Sequence, residues 1–331
     1  MKFYQIAAWL MGTVMLTGCG ANKSKTASEP SSSQSVEVPT FCADSAYSHI
    51  ERQCAFGPRV PGTDAHVQCG KWIGDQFTAY GMTVMRQEAT LIRYDGVKMP
   101  SCNIIAQSNP QASTRLMIAS HWDSRPWADN DPDPANHHTP VPAANDGASG
   151  VAVMLELAKN LSQHPIEIGV DFVCFDAEDA GIPQWDDQAA PDESSWCLGS
   201  QYWATHPHTS AIVKSILLDM VGGRAAHFYQ EGYSMSYASS LVEEVWQAAR
   251  RAGFGSFFPN QQGGYITDDH LPVNQKAHIP MIDIVPYYPE AEESSFGPTW
   301  HTLDDTPQHI DKTTLQAVGQ TLLQFIYNQK P

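Results

Sequence analysis

Runs of apolar residues alternate along this chain with stretches whose apolar positions recur at helical spacing. Asn103-Ile104-Ile105-Ala106 and Leu116-Met117-Ile118-Ala119 read as strands, and Gly147 to Leu161 then carries apolar residues at three- and four-residue intervals, predicting a helix. Further on, the pattern predicts a strand over Gly169 to Phe175, a helix beginning at Gly199 to Thr205, a strand over Ile212 to Val221 and a helix over Leu241 to Ala252. A buried strand over Ile279 to Val285 and an amphipathic helix over Lys312 to Tyr327 close the chain. Near-continuous apolar strands separated by helices imply a sheet buried on both faces, and therefore mostly parallel. The predicted fold class is α/β: one α/β/α sandwich domain over residues 40–331, built on a mostly parallel mixed sheet. Such sheets bind ligands beyond the carboxyl ends of their strands. The polar clusters His121-Trp122-Asp123, Asp176-Ala177-Glu178-Asp179 and Asp219 fall at those ends.

Residues 1–39 do not belong to that pattern. Lys2 is followed by an apolar run from Ile6 to Leu16, too short for a lasting bilayer span, and Leu16-Thr17-Gly18-Cys19 matches a bacterial lipobox. This predicts a signal peptide over residues 1–19, lipidation of Cys19, and a flexible Ser-, Lys-, Thr- and Glu-rich tether over residues 20–39. A chain of this kind is held on a membrane of the bacterial cell envelope with its folded domain in the periplasm. Gly20 in place of an aspartate after Cys19 favours the outer membrane.

A net charge of −17 argues against a nucleic-acid partner and for neutral or basic ones. No internal repeat and no glycine-rich phosphate loop is present, so nucleotide chemistry has no support. Export to an oxidising compartment predicts one or two disulfides among Cys42, Cys54, Cys69, Cys102, Cys174 and Cys197, with Cys174 reading as a buried free thiol. No CxxC pair exists to build a cysteine zinc site.

Zinc chemistry by His and carboxylate ligands needs about three protein donors, an open position and a separate carboxylate that moves protons. Four places could supply them: His121 with Asp123, Asn145-Asp146 at a helix start, Glu178-Asp179, and His301. Each alone has an ordinary explanation, since an Asp before a helix is commonly an N-cap. The Glu178-Asp179 pair is the sharpest, because adjacent carboxylates after a buried strand repel each other and call for a cation. The acidic stretch Asp123 to Asp133 lacks the glycine and terminal Glu of an EF-hand, and Arg125 is placed to anchor it by bidentate pairing. His137, His138, His206, His208 and His309 sit beside Pro or in polar loops and are expected at the surface, while His270 is expected to support Asp268. His227 and His278 carry no motif.

In order, HxD after a strand, NDGASG opening a helix, FDAED, CLGS, LLDMVG, DDH and WHTLDD resemble the zinc aminopeptidase superfamily, and within it the glutaminyl cyclase branch, from about residue 101 to residue 312. The resemblance implies a zinc-aminopeptidase-like fold and one zinc per chain held by Asp146, Asp179 and His301. Glu178 would be the general acid/base, with Asp219 and Asp268 completing an acidic relay. Trp300 would form one wall of the substrate pocket, and Trp185 or Trp196 another. Many members carry Glu where Asp179 stands, a longer arm. The implied reaction closes an N-terminal Gln, more slowly Glu, of peptides or exported proteins into pyroglutamate, releasing ammonia from Gln, in a monomer. Two other functions compete: a two-zinc aminopeptidase using His121, Asp146, Asp179, Asp219 and His301, and a catalytically silent binding lipoprotein.

Overall fold

The computed structural model describes residues 37–292 and 294–330. The predicted signal peptide, Cys19 and nearly all of the tether lie outside the described residues. The described residues group as one compact unit, and no described helix is long and apolar enough to cross a membrane.

Seven helices and six strands follow the order α1 (Ala43–Cys54), α2 (Asp64–Ala79), β1 (Thr83–Ile92), β2 (Lys98–Ser108), β3 (Arg115–His121), α3 (Ala148–Gln163), β4 (Gly169–Phe175), α4 (Leu198–Thr205), β5 (Ile212–Leu218), α5 (Gly232–Arg251), the one-turn α6 (His270–Pro272), β6 (Met281–Ile284) and α7 (Lys312–Tyr327). The six strands form one sheet in the order β1-β2-β4-β3-β5-β6. β1, β2 and β4 pair antiparallel, whereas β4, β3, β5 and β6 run parallel. The mixed, mostly parallel sandwich expected from the apolar pattern is therefore the fold.

Alternation within the strands decides which residue faces which layer. Ile104, Leu116, Ile118, Val170 and Phe172 pack with α1, α2, α3, α5 and α7 on one face, while Ile105, Met117, Ala119 and Val173 pack with Trp203 of α4 on the other. Both faces are covered, so β3 and β4 are buried at every position and read as largely apolar runs, with Asp171 in β4 paired to Arg115.

Parallel pairing brings the carboxyl ends of the central strands together: His121 stands opposite Phe175, and Ala119 opposite Leu217. β5 stops at Leu218, earlier than the apolar run suggests, because Met220 takes a left-handed backbone (φ 50°) that turns Asp219 into the site. α5 runs from Gly232, nine residues before the predicted Leu241, but Ala238 takes a non-helical backbone (φ −147°, ψ 41°) inside it, so a short Ser- and Tyr-rich helix meets the predicted one across a kink. α1, α2 and β1 had no predicted counterpart. The expected disulfides are not formed; all six described cysteines are free thiols, and Cys174 is buried as expected.

Candidate active site

Two buried carboxylates, Asp123 and Asp305, hold the site's backbone. Asp123 accepts the N–H of Glu178 (3.1 Å) and of Asp179 (3.2 Å), and its Oδ1 lies 3.4 Å from His121 Nδ1. Asp305 does the same on the other side, accepting the N–H of Asn145 (2.7 Å) and Asp146 (3.0 Å). In the sequence, Asp123 stands among the possible ligand suppliers and Asp305 carries no assigned role. Both are instead clamps that fix how neighbouring carboxylates point, a job recognisable in sequence only as an acid two residues after β3 or four after His301.

The residues so held converge. Single donor atoms of Asp146, Asp179 and His301 all lie within 4.8 Å of one another. His301 Nε2 is 3.2 Å from Asp179 Oδ1 and 3.7 Å from Asp146 Oδ2, while its Nδ1 lies 3.3 Å from Asp129 Oδ1. Asp146 Oδ2 and both carboxylate oxygens of Asp179 are buried without a hydrogen-bond partner. Buried carboxylate oxygens left bare are costly unless a cation satisfies them, so the donor set fits a zinc ion. Asp146 is not the helix cap it could have been: Gly147 caps α3 with no side-chain bond. Gly147 is required there, at φ 95°, because a Cβ would meet Asp123 O and His121 Cε1 at 2.9 Å.

A second donor group overlaps the first. His121 Nε2 lies 2.9 Å from Asp146 Oδ1 and 3.2 Å from Asp219 Oδ1. Burial alone would lower the His121 pKa, but Asp123, Asp146 and Asp219 together raise it well above its ordinary value.

Glu178 is 9% exposed and adjoins Asp179. Burial, then the Asp179 charge, raises its pKa well above the carboxylate range. The Cys197 thiol donates to Glu178 Oε1 (3.3 Å), and atoms of Glu178, Cys197 and Asp268 share a 4.8 Å neighbourhood. Asp268 is likewise raised, by burial and by Asp219 and Asp269. The geometry gathers Glu178, Asp219 and Asp268 around one pocket of about 320 Å³, together with Trp196, Trp300 and the convergent side chains Asp146, Asp179 and His301. Trp300 stacks on the His301 ring at 3.8 Å, and Trp196 lies parallel to it at 6.1 Å. Trp185 is not in the wall; it is 39% exposed and packs edge-on against Trp127.

Arg125 backs this arrangement. Its guanidinium pairs bidentately with Asp129 (2.8 and 2.5 Å), donates to the carbonyls of Asp179, Gly181 and Ile182, and lies over the Trp196 ring at 4.5 Å. Burial alone would raise the Asp129 pKa, but Arg125 and His301 hold it well below the usual range. Two expectations for histidines fail. His208 is not at the surface, because its ring bonds Asp171 (3.1 Å) between β4 and Trp203. His270 does not turn to Asp268: its Nε2 faces Glu231 Oε2 at 3.2 Å and its Nδ1 faces Asp283 at 3.9 Å.

An open α/β sheet whose carboxyl edge collects two bare carboxylates, an imidazole and a separate buried acid defines a metal-dependent enzyme of the aminopeptidase-like class. The chain belongs to Peptidase family M28, whose family model matches residues 103–326. Among solved structures it is similar to a glutaminyl cyclase of Bacteroides thetaiotaomicron, 49% identical with a TM-score of 0.86, over 89% of this chain and 100% of that one. A structure from the same organism described as a leucine aminopeptidase precursor is 48% identical, also with a TM-score of 0.86, over 89% and 100%. Among curated relatives, an aminopeptidase of Bacillus subtilis is 29% identical over 73% of this chain, and the glutaminyl-peptide cyclotransferase of Bos taurus 25% identical over 68%. The chain spans 48% and 65% of those two relatives' lengths.

Proposed function

We infer that this chain is a zinc-dependent glutaminyl-peptide cyclotransferase, which converts the N-terminal glutamine of a peptide into pyroglutamate with release of ammonia. The observation that carries the reading is the placement of Glu178, a buried carboxylate whose proton affinity is raised by burial and by the adjacent Asp179, beside Asp146, Asp179 and His301 in a tryptophan-walled pocket. Similarity to a bacterial glutaminyl cyclase along nearly its whole length supports it.

One zinc held by Asp146, Asp179 and His301 would supply Lewis acidity toward the side-chain amide carbonyl of the glutamine. Glu178 removes a proton from the substrate's α-amine as that nitrogen bonds to the side-chain carbonyl carbon, and delivers a proton to the amide nitrogen as its C–N bond breaks. Asp268, whose proton affinity is raised by burial and by Asp219 and Asp269, lies beside Glu178, and Asp219 lines the same wall. Trp300 and Trp196 hold the folded side chain and keep water from the carbonyl. Because nucleophile and electrophile belong to one residue, positioning contributes much of the acceleration.

The overlapping group of His121, Asp146 and Asp219 favours a second reading, a two-metal aminopeptidase with Asp146 shared. The two separate in one assay: the purified chain is given a Gln-initiated peptide, and the products are analysed by mass spectrometry beside an ammonia assay. Pyroglutamyl peptide with stoichiometric ammonia supports the cyclase; free glutamine and a shortened peptide would replace it with the peptidase. The lipobox supports a further proposal, that Cys19 carries lipid and tethers a monomeric enzyme in the periplasm, on the outer membrane. Labelling by a fatty-acid probe that survives Cys19→Ala would overturn it.

A further inference from the structure

Among the described residues, no Lys or Arg lines the active-site pocket, although six carboxylates do. Five of them, those of Asp146, Glu178, Asp179, Asp219 and Asp268, are buried on its floor. Glu193 is the exception: with Tyr265 and Thr267 it makes up the exposed part of the lining, and it is the only charged member of that rim. It stands on a 3-10 turn, Glu193–Ser195, directly before the wall residue Trp196. It also lines a smaller pocket of about 210 Å³ that shares Trp196 and Thr267 with the first. Among the described residues, the only Lys or Arg lining that second pocket is Lys276, whose ammonium donates to Gln201 Oε1 (2.8 Å).

We infer that Glu193 is a specificity-determining residue that favours a cationic side chain on the residue following the N-terminal glutamine. The inference rests on the cyclase reading. With the glutamine side chain on the metal-ligand floor and its α-amine at Glu178, the peptide must leave across the rim. One extended residue advances the chain by roughly 3.3 Å, which puts the next side chain at the rim and not on the floor. A lysine or arginine there meets the Glu193 carboxylate, and an acid meets like charge. The net charge of −17 adds attraction over longer range. Free glutamine fares poorly for the same reason, because its own α-carboxylate finds no cation in the wall.

The test uses three C-terminally amidated peptides that differ only in having Lys, Leu or Glu after the glutamine, with kcat/KM measured by ammonia release. An exposed pair is worth a modest factor, so the order Lys over Leu over Glu is expected with steps of about 2- to 5-fold at low salt. Glu193→Gln should flatten the series, and salt of about 0.5 M should compress it in the unaltered protein. An order that survives Glu193→Gln, or Leu equal to Lys at low salt, overturns the assignment. If none of the three peptides is cyclised, the cyclase reading fails and takes this one with it; if all are cyclised equally, only this one fails.

Discussion

Arg125→Lys keeps a positive charge in the same buried place and still should damage the enzyme, because what Arg125 contributes is a planar fork. The guanidinium donates five hydrogen bonds, two to Asp129 and one each to the carbonyls of Asp179, Gly181 and Ile182. A lysine ammonium reaches about two of those acceptors, so about three bonds are lost at roughly 1 kcal/mol each. A loss of about 3 kcal/mol lowers the melting temperature of a domain of this size by about 6–12 °C. Two ligand supports go with it, the Asp179 carbonyl and the Asp129 carboxylate beside His301, so zinc affinity should fall by about 10- to 100-fold. Scanning calorimetry and zinc competition against a chelating dye read the two effects. Arg86→Lys, on a side chain 42% exposed, is the control and should move the melting point by less than about 2 °C. If Arg125→Lys matched that control in both assays, the claim that Arg125 supports the metal site would be wrong.

Glu178→Gln should retain zinc, because the amide keeps the side chain's shape and the Asp123 clamp acts on the backbone; turnover should drop at least ~100-fold, as for a lost proton shuttle. Metal analysis beside ammonia release checks this, and near-normal turnover would remove Glu178 from the chemistry. Trp300→Ala should raise KM by about 10-fold, removing a stacked wall worth about 1–1.5 kcal/mol, while metal content holds; zinc loss would instead make Trp300 a support for His301. In acid, Glu231 should report itself. Burial alone would raise its pKa, yet His270 and the N–H groups of Ser234 and Tyr233 hold it at about 2. A depressed carboxylate stabilises the fold fully above its unfolded value of 4.5, and that contribution, up to about 3 kcal/mol, drains as pH falls from 4.5 toward 2. Glu231→Gln should therefore flatten the melting temperature's dependence on pH in that window; parallel curves for the two proteins would refute it.

The parts legible in the sequence are those where one physical demand dominates. β3, β4 and the second half of β5 are visible because burial on both faces leaves few polar positions. Glu178 and Asp179 stood out because adjacent acids at a strand end need a reason. α1, α2 and β1 were not visible: β1 is an edge strand, exposed or half-buried at all ten positions, so its apolar residues follow no clean alternation. The clamps Asp123 and Asp305 look like any loop acid until the backbone that they bind is in place. His208 and His270 were misplaced because their partners, Asp171, Glu231 and Asp283, come from distant parts of the chain. Trp185 and Trp196 are equivalent by sequence; only Gly181, with no Cβ to collide with the indole, seats Trp196 against the pocket.

Metal reconstitution tests the central claim most directly. Protein stripped with a chelator and titrated with zinc should regain ammonia release from a Gln-peptide linearly and reach full activity at one equivalent per chain, while His301→Ala should not regain it at that ratio. Full turnover in the stripped protein, or a requirement for two equivalents, would contradict the single site formed by Asp146, Asp179 and His301.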